Sequence, residues 1–128
     1  MINVKVTIYP GQVFGDSKDN TLYILLKSKN MDTIKKFDLM QKIVNELVDL
    51  QHSQQALIQK LGKIEVDNMD LSDSRLEKDL PDMHQRVSDN LDTIGGILEY
   101  FAEKTQNFGD KNHVEELKEQ KTIDDLKL

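Results

Sequence analysis

The sequence predicts an α+β protein that is mainly helical, in which an N-terminal β-hairpin is followed by long helices. Polar and apolar residues alternate over residues 2–9, and this period of two is typical of a half-buried strand. From Met40 onward, apolar residues recur at alternating spacings of three and four, which is the pattern of helices that pack on other helices. The length of 128 residues fits one domain, so we expect both elements to belong to a single fold.

The β-hairpin is predicted from two strands, over residues 2–9 and 21–28. Turn-forming residues, among them Pro10 and Gly11, separate the strands. The second strand is apolar on both faces, and a two-stranded hairpin alone is only marginally stable in water. We therefore interpret residues 1–29 as a docking module that contacts a larger protein partner. Its predicted docking residues are Leu22, Ile24 and Leu26.

The first long helix is predicted over residues 30–64. Asp32 is a suitable N-cap, and Gly62 is a suitable end. Heptad positions are lettered a to g, with a and d facing a partner helix. Seven of the eight a and d positions are apolar over four heptads, which predicts a coiled coil or a helical bundle. The a positions are Met40, Leu47, Gln54 and Leu61, and the d positions are Ile43, Leu50, Leu57 and Ile64.

Apolar residues beside this seam predict how many helices associate. Leu39, Val44 and Ile58 occupy e or g positions, so the apolar face is wider than a two-helix seam needs. Leucine at a with isoleucine at d also favours three or four helices over two. We therefore predict a homo-oligomer, with a trimer or tetramer favoured. Gln54 is the polar seam residue, and it is interpreted either as a device that fixes register or as a solvated defect.

An acidic connection is predicted over residues 65–80. Ser74 and Glu77 have capping-box spacing, so we expect a short helix over 72–79. The run 67–73 has residue types that occur in Ca²⁺ loops, but it lacks the glycine and the terminal glutamate at EF-hand spacing. A solvated acidic surface is the better interpretation, and no metal or other cofactor is predicted.

Two further helices are predicted after this connection. A heptad helix is expected over 81–109, with Pro81 in its first turn and Gly109 at its end. An amphipathic helix is expected over 110–128, with Asn112 as its cap. The two heptad helices could pair within one chain as an antiparallel hairpin or could belong to a symmetric oligomer. The second helix adds Val87, Leu91, Ile94, Leu98 and Phe101 to the predicted oligomer interface.

Composition excludes several classes of protein. The chain has no cysteine, so it has neither a disulfide framework nor a thiolate metal site. The net charge is −6, and all basic residues except Arg75 and Arg86 are lysines, which argues against a nucleic-acid-binding surface. We find no signal-peptide pattern at the N-terminus and no apolar run long enough for a membrane span. The predicted location is the cytoplasm, or a virion.

Two features of the second heptad helix suggest special roles. His84, Ser88 and Asp92 recur every four residues on one face, as a Ser/His/acid set would. A straight helix offers no oxyanion site, because its own amides are already bonded, so we expect His84 to be a partly buried seam residue. Gly95 and Gly96 cost helix stability, and close approach of another backbone, a hinge, or a break between two shorter helices would explain them.

These observations predict a non-enzymatic, oligomeric assembly or adaptor protein. Its helices are expected to oligomerise, and its N-terminal hairpin is expected to dock on a larger protein. A β-module followed by a coiled coil is similar in layout to small adaptor or fibre-stem proteins of phage particles, and a virion component is what that resemblance implies. The alternative is a small acidic inhibitor or regulator that occupies a basic groove of its partner. A hydrolase built around His84 is the third and weakest hypothesis.

Overall fold

A computed structural model describes residues 17–127, and the side chains of residues 21–127. Three α-helices account for 95% of this part of the chain: α1 (Ser17–Leu71), α2 (Ser74–Lys111) and α3 (Val114–Leu126). No strand occurs among residues 17–127. The prediction of an α+β fold is therefore wrong, and the described chain is all-α.

The predicted second strand, residues 21–28, lies inside α1. A short run that is apolar on both faces fits a buried strand and a helix equally well, so the residues that follow decide. Leu26 is half-buried and Ile34 and Phe37 are buried, and their spacings of eight and three residues place them on one face of a helix. That helical face overrides the β-propensity of the run. The first predicted strand, residues 2–9, lies outside the described residues.

Two predicted helix ends are also wrong. Gly62 lies within α1, because a glycine costs a helix only about 1 kcal/mol and the apolar period continues beyond it. Pro81 lies inside α2, which already begins at Ser74. The acidic connection predicted over 65–80 is therefore not a separate segment, since its two ends belong to α1 and α2.

The turn between α1 and α2 consists of Ser72 and Asp73. Ser72 adopts a left-handed conformation with φ of 59°, and its amide donates a hydrogen bond to the carbonyl oxygen of Asn68. Asp73 caps α2, because its Oδ1 accepts hydrogen bonds from the amides of Arg75 at 3.1 Å and Leu76 at 2.9 Å. Asp73 therefore caps the start of α2, which the sequence predicts at Pro81.

The chain divides into two compact units. The hairpin unit comprises residues 41–104, in which α1 and α2 run antiparallel because a two-residue turn joins them. Its core is aliphatic, and Leu61 is only 2% exposed. The core cluster consists of Leu61, Leu80 and Val87, with Ile58 packed against it.

The terminal unit contains residues 1–40 and 105–128, of which the structure describes 17–40 and 105–127. The rings of Phe37 and Phe108 stack with their centroids 6.5 Å apart. The Lys118 ammonium lies 5.2 Å from the centroid of the Phe37 ring. This contact attaches α3 to the first part of α1.

Helix α3 begins after a turn at Asn112 and His113. Asn112 does not cap α3 as predicted, because its Nδ2 donates a hydrogen bond back to the carbonyl oxygen of Phe108 at 2.9 Å. His113 is left-handed, with φ of 51°, and makes no side-chain cap hydrogen bond. Val114 and Leu117 are the buried residues of α3, so its first turn supplies its packing contacts.

Candidate self-association surface

The seam predicted for α1 splits into a covered row and an open row. Of the a residues in the hairpin unit, Leu61 is buried and Leu47 and Gln54 are half-buried. The d residues of the same heptads stay between 37% and 45% exposed. We call this open row the α1 stripe, and it consists of Ile43, Leu50, Leu57 and Ile64. Met40, the first predicted seam residue, is buried in the terminal unit.

Helix α2 supplies the other half of the covered seam. Val87 and Ile94 are buried, and Leu91, Leu98 and Phe101 are half-buried. Val87 and Leu61 belong to the same core cluster, so this seam lies within one chain. The question that the sequence left open is thereby answered for the hairpin unit, where the two heptad helices pair antiparallel.

Exposed apolar residues of α2 lie on the same open side as the α1 stripe. In an antiparallel pair the g positions of the two helices adjoin, and d lies next to g on the same helix. The g positions of α2 include three partly exposed apolar residues, and Asn90 interrupts their row. These three residues are Leu76, Met83 and Ile97.

A pair of polar side chains fixes the register of the two helices. His84 Nδ1 lies 2.8 Å from Glu65 Oε1, and both side chains are partly buried. The acidic partner of His84 is therefore on α1, whereas Asp92 is exposed two turns away on α2. The predicted seam position of His84 is consistent with this contact. Sequence reasoning missed Glu65, although its e position on the covered side of α1 was a usable signal.

Asn68 is the buried polar residue that sequence reasoning overlooked. Only 7% of its surface is exposed, and it occupies the next a position after Leu61. Its Oδ1 accepts a hydrogen bond from the Asp73 amide at 3.0 Å, and its Nδ2 donates one to the Asp73 carbonyl oxygen at 3.2 Å. The Asn68 side chain therefore forms hydrogen bonds with both the backbone amide and the backbone carbonyl of Asp73. Across residues 21–127, no group of three or more His, Asp or Glu could hold a metal ion.

The two glycines of α2 are not explained by a close contact in the hairpin unit. A Cβ at Gly95 would meet only the side-chain amide nitrogen of Gln51, at 3.9 Å, and a Cβ at Gly96 would meet nothing within 4 Å. The close approach comes instead at Gly109 in the terminal unit. A Cβ there would lie 2.7 Å from Cε1 of Phe37.

The residues predicted to dock a partner lie near the start of α1. Leu22 and Ile24 are exposed and Leu26 is half-buried. The neighbouring Tyr23 and Leu25 are also exposed, so five consecutive apolar residues precede Lys27. On a helix these side chains point in several directions, unlike the two faces of the predicted strand.

Exposed charges form pairs along their own helices. Lys42 lies 3.9 Å from Glu46, and Lys121 lies 3.6 Å from Asp125, each pair one turn apart. Arg75 pairs in the same way with Asp79 at 3.2 Å. Such exposed pairs contribute little to stability, but they mix both signs of charge along the surface.

No protein-family model, curated protein or solved structure gives a significant match to this chain. None of the described helices has an apolar stretch long enough to cross a membrane.

Proposed function

We propose that this protein is a non-enzymatic assembly or adaptor protein that associates with copies of itself through the α1 stripe. One observation carries the proposal. Ile43, Leu50, Leu57 and Ile64 form an apolar row over four heptads, and α2 of the same chain leaves that row open. An extended apolar row on a helix surface is typical of a protein interface.

The paired helices change the expected number of copies. The trimer or tetramer predicted from the sequence assumes that each chain contributes one helix to the bundle. When each chain contributes both α1 and α2, two chains are enough for a bundle of four helices. A dimer of hairpin units therefore contains the four helices that the seam residues of α1 favour. We therefore favour a homodimer as the smallest assembly.

Surface charge supports assembly over inhibition of a basic partner. An inhibitor that occupies a basic groove needs carboxylates concentrated on one side, so that they attract the groove together. Here Glu46, Asp79 and Asp125 each lie beside a basic residue of their own helix, which reduces the local negative potential.

The apolar run at residues 22–26, of which residues 22–25 are exposed, is the proposed contact with a larger protein partner. This run lies on a helix, so the partner must bind a helical surface and cannot bind by adding a strand to a sheet. Replacing Leu22 and Leu25 by serine should preserve helical content by circular dichroism and the mass of the assembly. Loss of self-association in this variant would show that the run belongs to the oligomer interface.

Self-association is tested by placing charge in the α1 stripe. Leu50→Asp with Leu57→Asp should give a folded monomer, because dimer formation would bury unpaired carboxylates. The matched control is His52→Asp with Gln59→Asp, which puts two carboxylates at the same seven-residue separation on the outer face of α1. Sedimentation equilibrium measures the mass of each. Equal masses for both variants at every concentration would overturn the proposal.

A further inference from the structure

We propose that the occupant of the α1 stripe is α1 of a second copy, lying antiparallel, with the two-fold axis passing close to Ser53. This inference rests on the proposed self-association and adds its orientation and register. Its evidence is the symmetry of the stripe and the charges that flank it within the hairpin unit.

The apolar residues of the stripe are arranged symmetrically about Ser53. In an antiparallel pair centred there, Leu50 lies within one residue of the level of Leu57 in the second copy. Ile43 lies equally close to the level of Ile64 in that copy. All four stripe residues therefore find an apolar neighbour, and each contact occurs twice because the interface is isologous.

Charges at the g positions beside the stripe favour this orientation. Glu46 and Lys60 lie seven residues before and after Ser53. An antiparallel pair centred on Ser53 places Glu46 of each copy opposite Lys60 of the other copy, which makes two attractive pairs. A parallel pair places Glu46 against Glu46 and Lys60 against Lys60, which makes two repulsive pairs. Flanking charges of this kind set helix orientation in coiled coils.

The local contacts of these residues leave them able to pair across the interface. The existing contact of Glu46 is with Lys42 at 3.9 Å, and both side chains are at least 65% exposed. Ser53 donates its hydroxyl hydrogen bond to the carbonyl oxygen of Asp49 at 3.0 Å, so its polar group is satisfied within the helix. A small side chain with an internal hydrogen bond suits a position close to a symmetry axis.

Register shifts by one heptad are less favourable. Moving the centre three and a half residues toward the C-terminus, which is a register shift of one heptad, brings Glu46 opposite Asp67, and this pair is repulsive. Moving it toward the N-terminus leaves Ile64 opposite Lys36, which is charged. Lys42 and Lys63, at c positions, lie near lysines of the second copy in both orientations. They therefore do not favour the antiparallel or the parallel pair.

The α1 stripe is also a better surface for a second α1 than for α2 of another copy. The open row of α2 contains Leu76, Met83 and Ile97, but Asn90 falls in its middle. Burying that amide against the α1 stripe without a hydrogen-bond partner would be unfavourable. Pairing α1 with α1 keeps Asn90 away from the apolar row.

Single cysteines test the orientation cleanly because the natural chain has none. In the antiparallel arrangement, Ser53→Cys should form a covalent dimer under mild oxidation. Glu46→Cys alone and Lys60→Cys alone should not, because the two copies of either residue are about 14 residues, or ~21 Å, apart along the axis. A disulfide requires Cα atoms within about 7 Å. An equimolar mixture of Glu46→Cys and Lys60→Cys should cross-link.

Each outcome of this experiment has a distinct meaning. Cross-linking of all three single variants, without preference for the mixture, indicates a parallel pair and overturns the proposal. A dimeric mass with no cross-link at Ser53→Cys indicates another helix pairing and also overturns it, while self-association stands. A monomeric mass overturns both self-association and its orientation.

Charge exchange gives an independent readout without cysteines. Glu46→Lys should weaken the dimer on the order of tenfold in Kd, because two attractive pairs become repulsive. Adding Lys60→Glu in the same chain should restore the natural affinity. In a parallel pair the single change leaves the number of like-charge contacts unaltered, so an unchanged Kd for Glu46→Lys would contradict the antiparallel arrangement.

Discussion

The ring of Phe37 occupies the space that a side chain at position 109 would need. Its Cε1 lies 2.7 Å from where a Cβ of residue 109 would stand, and Cζ lies at 3.3 Å. Gly109 was predicted to end a helix, yet α2 continues to Lys111. Its role is therefore to let the first part of α1 pack against α2 within the terminal unit.

Gly109→Ala should destabilise the protein by about 1–3 kcal/mol, because the stacked Phe37 and Phe108 rings must move to admit a methyl group. Gly96→Ala is the matched control in the same helix. Its Cβ would enter open space, so alanine should stabilise the helix by about 0.5–1 kcal/mol. Urea unfolding measures both changes, and a stabilising Gly109→Ala would show that the contact is not close.

Asn68→Ala should lower stability by about 1–3 kcal/mol. The change leaves the amide and carbonyl of Asp73 without their side-chain partners in the partly buried turn. Asn45→Ala, at an exposed position of α1, is the control and should change stability by less than about 0.5 kcal/mol. If thermal unfolding gave equal Tm values for both variants, the turn would not depend on Asn68.

Leu61→Ala and Leu57→Ala should separate folding from association. Leu61 is in the intrachain core, so its truncation should destabilise the hairpin unit by about 2–5 kcal/mol. Leu57 is 40% exposed in the α1 stripe, so its truncation should lower the free energy of unfolding of a dilute monomer by no more than about 1–1.5 kcal/mol and should weaken self-association. The opposite pattern would mean that the covered and open rows are wrongly assigned.

The contact between His84 and Glu65 should appear as coupling between the two helices. In a double-mutant cycle with His84→Ala and Glu65→Ala, we expect a coupling free energy of about 0.5–1.5 kcal/mol, as is typical of a partly buried hydrogen bond. Denaturant unfolding of the four proteins gives this value. A coupling energy of zero would show that the pair does not set the register of α1 and α2.

The heptad period of residues 40–64 predicted a helix and a packing seam, and that part of the fold follows from the sequence. The N-terminal prediction failed because residues 21–28 are apolar on both faces, and such a run has no period that separates strand from helix. The helical spacing of Leu26 with the buried residues Ile34 and Phe37 was the stronger signal for a helix. A cooperative helix extends through a segment of mixed propensity when its neighbours are already helical.

The division of the seam into two rows could not be read from the sequence. Leu57 and Leu61 are adjacent seam residues of similar apolarity, yet one is 40% exposed and the other 2% exposed. The difference arises because α2 packs on the a and e side of α1, and that choice depends on the turn built by Asn68 and Asp73. This turn is held by side-chain hydrogen bonds between residues five apart, and neither composition nor heptad spacing specifies which side of α1 it directs α2 onto.

The solution mass of the natural chain is the most direct test of the central claim, that the α1 stripe is an interface between copies. Sedimentation equilibrium over a wide range of concentrations should give a mass of at least twice the 14.8 kDa of one chain, falling toward that value on dilution. A mass of 14.8 kDa at every concentration up to tens of micromolar would contradict the account.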